Sequence, residues 1–411
     1  MPNGRINFVR RTDSAPPTSR RRYLTALAAA VSTGGCLQFT EPATTATDEQ
    51  RETAQSGGAS DETTTETEAA RTNTSTANQS SGAAWRASAN APFVAGPVVA
   101  DGTVVATSLD RHVYGFDATT GRQQWSANSE TELDKGLTVV DGVAVAAGVE
   151  EQLGVAINDG SVTYRKSGFE NGTREQAAAA DTVYQCGIQG GLRSLDPVTG
   201  DRRWLATSEE PRVVVDHDGD TVCVGLHPTG HHGAPPWAFA GFDAATGEEL
   251  WYVERNIEDA NANPSVAVAG GTCLAYNGGS HHMVIDARSG EVRREVTDSR
   301  IGRLYGSTDD DIVVSRGGKF EAIDGQTGKT RVRTTVGPGT PDATHLGDGT
   351  FWFLSGTTLY RFDIDSGEAA TVGDLALDGT QVGDRDGGLA VVGETAFVTT
   401  SDARIHALSL P

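Results

Sequence analysis

From about Ala83 onward the chain alternates short Val- and Ala-rich runs with polar punctuation, as in PVVADG, TVVATSLD, HVYGFDATTG and RQQW. Runs of this length, bounded by Asp-Gly and similar pairs, predict short strands joined by tight turns. One stretch organises the rest: YGFDATTGRQQW, Tyr114 to Trp125. It returns as RSLDPVTGDRRW, AGFDAATGEELW, MVIDARSGEVRR, EAIDGQTGKTRV and YRFDIDSGEAAT. Asp is followed four residues on by Gly at Asp117/Gly121, Asp196/Gly200, Asp243/Gly247, Asp286/Gly290, Asp324/Gly328 and Asp363/Gly367. The Asp carboxylate can accept backbone amides two or three residues ahead, and the Gly supplies the positive φ that ends such a turn. Trp125, Trp204 and Trp251 stand eight residues after their Asp, on the returning strand, where a broad ring packs on a neighbour.

Two weaker copies complete the series, with Asn158 and Ser409 in place of the Asp. The motif positions are then spaced by 41, 38, 47, 43, 38, 39 and 46 residues. A period near 40 with several strands per period predicts an all-β, eight-bladed β-propeller of four-stranded blades. After the first full blade, the others are expected at about 137–170, 177–207, 212–256, 264–297, 303–335 and 344–373, with the eighth beginning near Gly388. The chain ends before that blade has an outer strand, while AAWRAS around Trp85 precedes the first blade and carries a Trp like those of the outer strands. The N-terminal strand is therefore expected to complete the eighth blade and close the ring, which removes an open sheet edge.

The first 82 residues read differently. Residues 1–36 hold Arg20, Arg21 and Arg22, an apolar run from Leu24 to Val31, and then Gly34-Gly35-Cys36. The run falls short of the roughly 20 residues needed to span a bilayer as a helix. SRRRYL resembles the twin-arginine export signal, and TGGC resembles a lipoprotein processing site with Cys36 as the lipidated residue. Residues 37–82 are low in complexity, with 12 Thr among 46 residues, and cannot bury enough surface to offset their ordering entropy. A disordered Thr/Ser/Glu-rich stalk is expected there, between a lipid anchor and a folded domain over 83–411. Asn73 and Asn78 in the stalk, and Asn171 in the domain, stand in glycan-acceptor sequons.

Charge narrows the setting. The formal net charge is −22, and it deepens to −27 without residues 1–35, which carry six Arg and one Asp. Only four of the basic residues are Lys. An acidic, Lys-poor surface resembles proteins of salt-loving archaea, and it argues against nucleic acid as a partner or an anionic membrane surface as a docking site for this domain. A lipid at Cys36 is then the only expected membrane contact, on the outer face of the cytoplasmic membrane.

The blade pattern, a strand, Ser-x-Asp, a strand ending in Asp-x-x-Thr-Gly and then Trp, resembles the pyrroloquinoline-quinone (PQQ) repeat family over roughly residues 83–411. TSLDRHVYGFDATTGRQQW is a close match. The resemblance implies the eight-bladed fold. It admits two functions, since the family includes quinoprotein alcohol dehydrogenases, which bind PQQ and calcium on the axis, and a quinone-free lipoprotein that helps assemble outer-membrane barrels. The dehydrogenases carry an adjacent Cys-Cys disulfide over the cofactor, and no two Cys are adjacent here.

Candidate chemistry is sparse. Cys186, Cys223 and Cys273 fall on predicted inner or middle strands and read as small buried hydrophobes. No Ser-centred nucleophile elbow, His-Glu-x-x-His or phosphate loop occurs. The irregular part is the connection LHPTGHHGAPPW of the fourth blade, with His227, His231 and His232, beside NGGSHH of the fifth, with His281 and His282. Equivalent connections of adjacent blades emerge on one face, so these imidazoles could meet and hold a transition metal, or could be solvated loop residues. The expected function is a lipid-anchored, non-catalytic binding or scaffold module for a protein, peptide or glycan at the cell surface. The alternative is a PQQ-dependent oxidoreductase or other metal-dependent enzyme with its site on the axis.

Overall fold

The computed structural model describes residues 83–167, 172–187, 191–207, 212–226, 237–255, 264–276, 281–296, 301–337, 341–375, 377 and 388–410. All regular structure among them is strand, gathered into eight four-stranded antiparallel sheets. Blade 1 shows the pattern, with strands Phe93–Ala100, Thr103–Ser108, His112–Asp117 and Gln123–Asn128 pairing in sequence order. The innermost strand of each blade touches that of the next, and the innermost strand of blade 8 returns to that of blade 1. The eight sheets thus form a closed propeller.

Most blades bury both faces of their two middle strands, so these read as continuous apolar runs rather than alternating ones, whereas Thr358–Asp363 of blade 7 leaves Arg361 exposed. Thr103–Ser108 is buried at every position. Side-chain parity then assigns each residue to one of two neighbours. In blade 1, Val104 and Ala106 join Phe397 and Ile405 of blade 8, whereas Val105 joins Leu137 and Ala146 of blade 2.

Blade 8 is made from both ends of the chain. Its strands Leu389–Val392, Thr395–Thr400 and Arg404–Ser409 are C-terminal, and its outer strand is Ala83–Ser88. Arg86 pairs with His406, and Ser88 with Arg404. The closure expected from the early end of the repeat is therefore what the structure has, and it pairs an edge that would otherwise stand open.

Candidate functional site

The repeated turn forms as its residues dictate. Asp117 Oδ1 accepts the amides of Thr119 at 3.1 Å and Thr120 at 2.8 Å, together with the Thr120 hydroxyl at 2.8 Å. Gly121, at φ +70°, closes the turn by donating its amide to the Asp117 carbonyl at 2.8 Å. The same turn recurs at Asp243 and Asp286. These hydrogen bonds hold the carboxyls of Asp117, Asp243 and Asp324 below the ordinary range, with the Thr hydroxyl as the largest cause. The six Asp are turn residues.

Where a Trp follows the turn, it reaches the next blade. Trp125 lies over Gly160 and donates its indole N–H to the Ile157 carbonyl at 2.9 Å. Trp204 and Trp251 repeat this on Gly247 and Gly290, donating to Ala244 at 2.9 Å and Ala287 at 2.6 Å. The motif is therefore a clasp between blades, made by a Trp at the 8–1, 1–2, 3–4 and 4–5 boundaries, while at the 2–3 boundary Tyr164 lies over Gly200. At Asp286 the position eight residues on is Arg294, which donates to the Gly328 carbonyl at 3.1 Å instead.

The sequence reading missed a polar junction on the inner strands. Asp216, on Arg212–His217 of blade 4, accepts the Val268 amide of blade 5 at 2.8 Å and the Ser307 hydroxyl of blade 6 at 2.9 Å through Oδ2. Its Oδ1 accepts the His217 amide at 2.9 Å. His217 Nε2 donates in turn to the Ala178 carbonyl of blade 3 at 2.7 Å. One dipeptide thus ties blade 4 to three others. Burial raises the Asp216 carboxyl above its usual range. Glu175, on blade 3's inner strand Glu175–Ala178, is pushed up to about 8, by burial first and by the Asp216 charge second. The signal available was a carboxylate inside each of two inner-strand runs, EQAA and RVVVDH.

The histidines are only partly brought together. His227, His231 and His232 lie outside the described residues, as do Cys36, Asn73, Asn78 and Asn171. His281 precedes the strand His282–Asp286 and is partly exposed. His282 opens that strand and is buried, which corrects its placement in a loop. Met283 and Ile285 pack toward blade 4 while Val284 packs toward blade 6, so parity turns His282 to blade 6, away from the 227–236 connection. Burial, then the cations Arg316 and Arg294, push its imidazole down to about 4, and neither ring nitrogen has a hydrogen-bond partner among the described residues. Among the described residues no group of three or more His, Cys, Asp or Glu is arranged to hold a metal.

A calcium–quinone site on the axis finds no fitting donor set among the described residues. Asp216 already accepts three hydrogen bonds from N–H and O–H donors, and no group of three or more His, Cys, Asp or Glu gathers to hold a metal around it among the described residues. Cys186, Cys223 and Cys273 are in no disulfide and lie buried in the second strands of blades 3, 4 and 5.

A family model described as outer membrane protein assembly factor BamB matches residues 49–230 and 166–303. These segments span more than half of the chain. The chain belongs to this family. Among solved structures it is similar to BamB from Moraxella catarrhalis, at 15% identity and a TM-score of 0.51 over 79% of this chain and 98% of that one. It is also similar to Sqt1 from Saccharomyces cerevisiae, at 9% identity and a TM-score of 0.58 over 78% and 96%. The computationally designed Ika8 protein is similar at 14% identity and a TM-score of 0.61 over 78% and 97%. At these identities the solved structures show the fold alone. A search of the curated proteins finds no match.

Proposed function

We propose that this chain is a non-catalytic scaffold that presents a ring of loops to a protein, peptide or glycan at the cell surface. One observation carries the reading: the recurring polar residues are committed to holding the ring. The Asp carboxylates organise turns, the Trp N–H groups clasp blades, and Asp216 joins blades 4, 5 and 6. What remains for recognition is the loops, where binding residues concentrate on rigid propellers. The irregular connections of blades 4 and 5, with His227, His231, His232 and His281, are the candidate contact region. Family membership supports a protein partner, because the matching model is described as an assembly factor.

In this reading residues 1–36 direct export, Cys36 carries the lipid, and residues 37–82 tether the propeller at a distance from the outer face of the cytoplasmic membrane. Glycans at Asn73 and Asn78 would stiffen the tether, and Asn171 would carry a third. The test is chemical cross-linking in intact cells, with mass spectrometry of the recovered full-length protein. Cross-links from the blade 4 and blade 5 connections to surface proteins are expected. Absence of such cross-links, together with a PQQ- and calcium-dependent absorbance band and dye reduction by the purified protein, would replace this reading with the oxidoreductase one.

A further inference from the structure

Two of the three buried thiols face each other across a blade boundary. In blade 4's second strand, Thr221–Leu226, Val222 and Val224 pack into the core shared with blade 3, so Cys223 between them faces blade 5. In blade 5's second strand, Thr272–Tyr276, Leu274 and Tyr276 pack toward blade 6, so Cys273 faces blade 4. Both thiols are fully enclosed in one apolar cluster with Phe239, Trp251, Val268 and Met283. The Cys273 thiol is near enough to be among the causes that push the Cys223 thiol up, after burial. Among the described residues, Cys186 belongs to a different cluster, the core between blades 3 and 4.

We propose that Cys223 and Cys273 are a latent disulfide, which a low-molecular-weight disulfide oxidant converts into a covalent staple between blades 4 and 5. The Cys223 strand runs directly into the 227–236 connection and the Cys273 strand into 277–280, so the staple fixes the two blades that carry the irregular loops. The chemistry balances. One thiol loses its proton and attacks the oxidant's S–S bond, giving a mixed disulfide and releasing one small thiolate. The second thiolate attacks the protein sulfur of that mixed disulfide, forming the Cys223–Cys273 bond and expelling the second small thiol. Two electrons and two protons pass to the oxidant. Burial, and next the neighbouring thiol, push the Cys223 thiol up. The reduced pair is therefore slow to react until the blades open. The inference does not depend on the function proposed above.

The test uses the full-length reduced protein incubated with oxidised glutathione, both at low temperature and just below its unfolding transition, where a thiol reagent titrates all buried cysteines. Samples are alkylated and digested without reduction. The expected product is one Cys223–Cys273 cross-linked peptide with Cys186 alkylated, and a melting temperature higher by roughly 5 °C. Cys186→Ser should keep both results, and Cys273→Ser should lose both. Separate glutathione adducts on Cys223 and Cys273 in the sample oxidised near the transition, or a cross-link involving Cys186, would overturn the proposal.

Discussion

The indole of Trp85 lies over Gly121, and its Nε1 donates to the Ala118 carbonyl at 2.8 Å. Trp85 belongs to the first strand of the domain and completes the last blade, while Gly121 ends the repeated turn of the first. This contact does at the chain closure what Trp125 over Gly160 does between blades 1 and 2. The ring is thus sealed by the same device that links blades 1 and 2, 3 and 4, and 4 and 5, and the start of the domain is a structural part of its end.

Trp85→Ala removes a buried ring and an indole hydrogen bond, and should destabilise the domain by roughly 3–5 kcal/mol. Gly121→Ala brings a Cβ into the Trp85 ring at a positive φ, whereas Gly102→Ala meets a similar φ of +74° with open space around it. Gly121→Ala should therefore cost more than Gly102→Ala, and the excess should vanish when Trp85 is already Ala. A double-mutant cycle by chemical denaturation measures this.

The fold was legible because each blade states its own local rules. The Asp117–Gly121 turn needs only residues within five positions of one another, and the apolar runs between turns need only strand propensity. The polar junction was not legible, because Asp216 meets Val268 and Ser307 across 52 and 91 residues of sequence. The same holds for Cys223 and Cys273, which share no spacing signature and meet only when blades pack. His282 misled the reading for a local reason. Two adjacent His after Gly and Ser look like loop, yet the strand begins at the second of them, and parity then decides which blade it faces.

Stability should fall toward both ends of the pH range. The turn carboxyls, Asp117 among them, are depressed in the folded state, so their contribution is present above the unfolded value of 3.8 and is lost as pH falls. His282 is held down to about 4 against 6.5, so stability is also lost as pH drops from 6.5 toward 4. Glu175 is raised to about 8 from 4.5, so its contribution is full below 4.5 and is lost as pH rises through 8. Melting temperatures across this range, for wild type and Glu175→Gln, should show the alkaline decline flattened in the variant alone.

Because His282 faces blade 6 with both nitrogens unpartnered among the described residues, an apolar replacement removes a desolvation cost. His282→Leu should leave the melting temperature at pH 7 unchanged or higher. Calorimetric titration with zinc, nickel or copper should give the same isotherm for this variant as for wild type. A loss of metal binding in His282→Leu would place the residue in a ligand set after all.

The export reading predicts a mature protein that begins at a lipid-modified Cys36. Mass spectrometry of the N-terminus should find a diacylglyceryl-modified cysteine in the membrane fraction, and Cys36→Ser should release the protein from it. Intact Met1 on a protein recovered from the cytoplasm is the opposite result.

The central claim is that the N-terminal strand is the fourth strand of the last blade. The most direct measurement is thermal unfolding of two deletions of the chain. Removing residues 83–90 takes away Trp85 and the pairing of Ala83–Ser88 with Arg404–Ser409, and should lower the melting temperature of the whole ring. Removing residues 40–80 should leave it where it was. Equal melting temperatures for the two deletions would contradict the closure.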